Sequence, residues 1–185
     1  IRLTTSFSSK FFELIRAPAW QVVTLSLFVF GIGNSGMHNY LSIYLSQLGA
    51  SETLIGSTWS LGAIAETGFM AFSGGLISRL GVRKILPLAF VLYGIRLLAY
   101  SFMTNPLTAV PIALTHAITF APFWLSAVIL VNRISPQHLK ATGQAMLVAT
   151  MSLSSVVGSP VAGAILDSYG MPAVFRMFAA CCFVA

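Results

Sequence analysis

Two charged side chains stand where charge is expensive. Glu66 lies about twelve residues into one long apolar run, and Arg96 about eleven residues into the next. At about 1.5 Å of rise per helical residue, both sit near the middle of roughly 30 Å of hydrocarbon. An ionised group at that depth costs several kcal/mol, so it marks a place where something is paired, hydrated or carried. Consecutive spans are commonly neighbours, which makes a Glu66–Arg96 pair geometrically allowed. A carboxylate held between desolvation and a nearby cation can take and release a proton as its surroundings turn wet and dry. The plainer alternative is a structural ion pair.

Two histidines stand in comparable positions. His116 is about nine residues into the fourth apolar run, where an imidazole either titrates or supplies an interhelical hydrogen bond. His38 lies late in the first run, one turn beyond Asn34, and the i, i+4 spacing puts both on one helix face. That face is a candidate lining for a polar cavity. Aromatic residues flank these positions: Trp59 two turns before Glu66, Tyr93 one turn before Arg96, and Phe120 and Phe123 after His116. They are candidates to stack on a ring-bearing or sugar-like solute, with packing as the alternative for each.

The rest of the chain explains how such residues come to be held. It is 57% hydrophobic and 8% charged, with mean hydropathy +0.88. A soluble domain carries about 25% charged residues, so lipid must solvate most of this surface. The net charge of +6 does not indicate nucleic acid, because the basic residues fall in short gaps between apolar runs instead of on one polar face. Cys181 and Cys182 are adjacent within an apolar run and have neither metal-ligand nor disulfide spacing. No phosphate-cradling loop, metal cluster or nucleophile elbow is legible, and the chain reads as neither an enzyme nor a cofactor protein.

The apolar runs predict spans at about 20–48, 54–77, 85–103, 107–131 and 141–166, with a sixth begun at 171–185 that is short of a crossing. Residues 1–19 precede them, with an amphipathic surface helix over Ile1 to Arg16 and a flexible linker as alternatives. Eight of the ten Lys/Arg (Arg2, Lys10, Arg16, Arg79, Arg83, Lys84, Arg133 and Lys140) fall in gaps on one side of the membrane. The positive-inside rule makes that side cytoplasmic, and with it the N-terminal segment, in a plasma or inner membrane. Both ends of the sequence look like cuts. In the fifth run Ser154, Gly158 and Ala162, and beside them Ser155, Ser159 and Gly163, form small-residue rows that suit close helix packing, with a kink expected at Pro160.

The loop after the second run, Gly74 to Lys84, resembles the loop signature of the major facilitator superfamily: Gly74, Arg79, Gly81 and the pair Arg83 and Lys84 match a gating motif. Ser78 replaces its acidic residue, and Val82 shifts the basic pair by one. Gly158 to Gly163 with Asp167 and Gly170 is similar to a late helix of that superfamily. Glu66, Arg96, Thr115, His116, Phe120, Phe123 and Trp124 resemble the lactose permease and 3-phenylpropionate permease branch. In that branch a ninth-helix Arg and a tenth-helix His take part in proton-coupled transport, and Arg96 and His116 match them. Thr119 stands where the branch has a Glu one turn after the His.

The resemblance implies an all-α bundle of six membrane helices, the C-terminal half of a transporter built from two inverted three-helix repeats. Its expected partners are the bilayer, a small organic solute, protons and a missing N-terminal half. The expected activity is alternating-access transport, as proton symport, with Glu66, Arg96 and His116 in coupling. A non-transporting sensor or scaffold and an intramembrane enzyme are the alternatives.

Overall fold

The computed structural model describes residues 12–185. The surface helix expected over Ile1 to Arg16 falls mainly on residues 1–11, outside the described residues. Residues 12–16 are helical, and six further α-helices follow among the described residues: α1 (Pro18–Gln47), α2 (Glu52–Leu80), α3 (Val82–Ser101), α4 (Ala109–Leu114), α5 (His116–Ile134) and α6 (Lys140–Val184). The described residues are all-helical apart from turns.

Local chemistry sets the boundaries. Pro18 opens α1, where its missing N–H is no loss. Ser51 Oγ accepts from the Leu54 N–H at 3.3 Å, and Glu52 occupies the first turn of α2, facing the positive end of the helix dipole. Only Gly81, at φ 80°, separates α2 from α3. Asn105 Oδ1 accepts from the Leu107 N–H at 2.9 Å and starts a 3-10 turn leading into α4.

The fourth apolar run is not one continuous helix. The Thr115 N–H reaches back only three residues, to the Ile112 carbonyl at 3.1 Å, and the tightened turn divides α4 from α5. α6 is also two limbs, 140–169 and 171–184, because Gly170 has φ 78° and ψ 175°.

Short connections make successive long helices antiparallel. The start of α1, the α2–α3 junction and the α5–α6 connection therefore share one end. That end carries Arg16, Arg79, Arg83, Lys84, Arg133 and Lys140, whereas Glu52 and Asp167 stand at the other. α1 packs along α6, α3 packs between α6 and α5, and α2 rests on α4 and α5.

Phe30 of α1 is the hub. Its ring lies 4.4 Å from Phe90, 5.1 Å from Tyr93 and 4.2 Å from Phe123, which joins α1, α3 and α5. The outward surface is apolar, with Ile64, Phe72 and Val156 among its exposed residues. Glu52–Leu80, His116–Ile134 and Gln137–Val184 are each long and apolar enough to cross a membrane. A helix in lipid satisfies its backbone internally, which permits such a surface.

Candidate functional site

Arg96 projects from α3 into the bundle and is 3% exposed. Its guanidinium only donates hydrogen bonds. Nη1 donates to His116 Nδ1 and, at 2.8 Å, to Thr119 Oγ1, both on α5. Nη2 donates to the Met37 thioether of α1 at 2.8 Å. The cation also lies 4.2 Å from the centre of the Tyr93 ring. Tyr93 in turn donates to Asn34 Oδ1 at 2.7 Å. One cation thus ties three helices together.

The contact with Arg96 assigns the histidine tautomer. Nδ1 faces a permanent donor and must accept, so the ring proton sits on Nε2. Nε2 lies 3.1 Å from Glu66 Oε2. The sequence allows a direct Glu66–Arg96 pair; in the fold His116 stands between them and bonds to each. The reason is positional: α2 rests on α5 and touches α3 only slightly, so the α5 imidazole fills the intervening space.

The relay runs from the interior to an open face. The Glu66 side chain is 18% exposed and the His116 side chain 9%. Beside Glu66 on that face, His38 stacks on Trp59 at 5.8 Å, and Trp59 Nε1 donates to Ser42 Oγ at 3.0 Å. His116 stacks on Phe120 at 5.0 Å, and Phe120 is stacked with Trp124. Asn34 is half-buried. The contacts of His38 with Trp59, of Glu66 with His116 and of His116 with Phe120 make an aromatic and polar wall beside α2, and Asn34, one turn before His38, is bonded inward to Tyr93.

Two aromatic residues expected on that wall stand elsewhere. Tyr93 and Phe123 are 0% exposed. Both face Phe30, so they position the relay from the core and do not line the wall. The gating-motif residues lie at the basic end, away from the relay. Arg79, Arg83 and Lys84 are exposed, Gly81 makes the junction, and Gly74 is an exposed helical residue with open space at its Cβ position.

Sequence reading passed over three contributors. Met37 reads as an apolar filler, yet its sulfur receives the guanidinium. Thr119 reads as the absence of a carboxylate, yet its hydroxyl accepts from Arg96. Asn39 donates to Ser155 and Ser159 Oγ at 3.2 and 2.9 Å, so the second small-residue row is a polar seam as well as a packing surface. Its signal was the second polar residue in the pair His38-Asn39.

The chain matches the family model described as MFS_1 like family over residues 2–177. It is 24% identical to major facilitator superfamily domain-containing protein 6-like protein B of Xenopus laevis, over 87% of this chain and 26% of that protein. It is 27% identical to the uncharacterized transporter YwbF of Bacillus subtilis (strain 168), over 75% of this chain and 35% of that protein. It is also similar to the maltose permease of Geobacillus stearothermophilus, 26% identical over 80% of this chain and 38% of that protein. The chain thus spans 26% to 38% of the length of these relatives. An all-helical bundle with an apolar outer surface and a family match along nearly its whole length make this chain a member of the major facilitator superfamily.

Proposed function

We propose that the protein moves a small organic solute across a membrane by alternating access, coupled to protons through Glu66, His116 and Arg96. The observation that carries this reading is the continuous contact from buried Arg96 through His116 to half-open Glu66. In this reading the chain is the C-terminal half-bundle, two three-helix units of inverted topology. A companion N-terminal half faces the aromatic wall. The greater length of the relatives and the transporter names among them support it. The basic end faces the cytoplasm of a plasma or inner membrane.

The coupling follows from desolvation. Closing the companion half over the wall strips water from Glu66. An ionised carboxylate resists that by several kcal/mol, whereas a protonated one does not. Closure is thereby tied to uptake of one proton at a Glu66 oxygen, and reopening on the other side releases it. His116 keeps Nε2–H on Glu66 while Arg96 occupies Nδ1, so the ring can take a second proton only when the guanidinium withdraws. The wall's stacked rings and the lactose permease-like arrangement of Arg96 and His116 suit a sugar or an aromatic acid.

The test is uptake of maltose, lactose and 3-phenylpropionate by proteoliposomes containing the full-length protein, read with an internal pH dye. Glu66→Gln should remove solute-driven proton movement while solute exchange at equal concentrations persists, because Gln imitates the protonated state. Proton movement unchanged in Glu66→Gln would remove Glu66 from the mechanism. Solute binding without flux in the unaltered protein would favour a sensor instead.

A further inference from the structure

We propose that the α5–α6 connection holds the phosphodiester headgroup of an anionic phospholipid between Arg133 and Lys140. The proposal rests on the membrane placement of the bundle and not on the transport reading. A cavity of about 460 Å³ lies there, lined by Ile129, Asn132, Arg133, Ser135, Gln137 and Lys140. Two cations and two amides thus line one concave site at the basic end.

Local electrostatics call for an anion. Lys140 is the first residue of α6, at the positive end of the helix dipole, where a cation is unfavourable. That first turn has no acidic residue and no side-chain cap, so nothing in the described chain answers the charge. The ion pair between Glu66 and His116 is the one found among the described residues, which leaves Arg133 and Lys140 without a carboxylate. Ser135 borders the cavity and is 6% exposed, with its Oγ turned against Gly143 of α6. The Gln144 amide donates to the Val128 carbonyl at 3.0 Å and fastens α6 to α5 behind the cavity.

The surroundings favour a lipid over a free phosphate. Ile129 brings an apolar wall into the cavity, one turn before Arg133 on α5. Two turns along α6 from Lys140, Val148 is 53% exposed. A diester bound by the cations can lay its acyl chains along these residues, whereas an inorganic anion gains nothing from them. Basic pockets between membrane helices are a recurrent form of headgroup recognition.

The experiment is thermal unfolding of the full-length protein in maltoside micelles, titrated with dioctanoylphosphatidylglycerol, dioctanoylphosphatidylcholine or inorganic phosphate. Phosphatidylglycerol should raise the midpoint saturably, and the other two should not. Arg133→Gln with Lys140→Gln should weaken phosphatidylglycerol binding about thirtyfold. Arg79→Gln with Arg83→Gln, at the same end, should leave it unchanged. Equal stabilisation by phosphatidylcholine, or by phosphate alone, would overturn the proposal. So would equal weakening by the Arg79/Arg83 pair, which would indicate a diffuse basic surface. If the Arg133/Lys140 double variant does not fold, Lys140→Gln alone decides: Lys140 makes no side-chain hydrogen bond among the described residues, and undiminished phosphatidylglycerol affinity in that variant refutes the site.

Discussion

Replacing Gly33 by Ala tests how α1 is held against the second limb of α6, and therefore how Asn34 and Met37 are placed. A Cβ at Gly33 would lie 2.4 Å from Cys182 Sγ and 2.7 Å from the Phe178 carbonyl oxygen. The sulfur can swing aside, but the carbonyl belongs to the helix and moves only with it. Ordinary contact begins at 3.4 Å, so the two helices must part by about 0.7 Å. Overpacking of this kind costs about 1–3 kcal/mol. At roughly 2–4 °C per kcal/mol for a chain of this size, the unfolding midpoint should fall by about 4–8 °C for a mid-range cost.

The assay is tryptophan-fluorescence unfolding in maltoside micelles, with Gly68→Ala as control. A Cβ at Gly68 meets nothing within 4 Å, so there the gain in helix propensity, up to about 1 kcal/mol, should leave stability equal or higher. Adding Cys182→Ala to Gly33→Ala removes the sulfur contact but not the carbonyl contact and should restore only part of the loss. If Gly33→Ala is as stable as Gly68→Ala, the close approach of α1 to α6 is wrong.

Gly170→Ala should lower the midpoint in the same assay by about 1–3 kcal/mol equivalent, because φ 78° with ψ 175° is a region that only glycine enters readily. Stability equal to the parent would mean that α6 does not bend there. Tyr93→Phe keeps the ring beside Arg96 but removes the donor to Asn34 at 2.7 Å, so it should cost about 0.6–1.7 kcal/mol. In a double-mutant cycle with Asn34→Ala the two losses should not add, whereas additive losses would deny the bond.

Several features were legible because they depend on one helix at a time. Apolar runs of about 20 residues announce helices in lipid, and counting along them places Glu66 and Arg96 at mid-depth. Ser51 and Asn105 mark helix starts through their own side-chain oxygens, which needs no tertiary contact. The clustering of basic residues at one end follows from alternating helix direction. The break at Thr115 was less legible: Pro111 lies nearby, but the turn is tightened by Thr115 itself, whose hydroxyl also bonds to the Ile112 carbonyl at 2.6 Å.

What the amino-acid order determined alone is which residues are buried in oil, at what depth, and on which face of their own helix. What only the tertiary structure decided is who meets whom. Helical periodicity fixes a direction within one element but not the rotation of its neighbours. His116 therefore separates Glu66 from Arg96 because α5, and not α3, lies against α2. Met37 becomes an acceptor, and Tyr93 and Phe123 leave the wall, because Phe30 draws α1, α3 and α5 onto one aromatic hub. Each of these partnerships joins residues at least 20 positions apart in the chain, and the crossing of packed helices sets them.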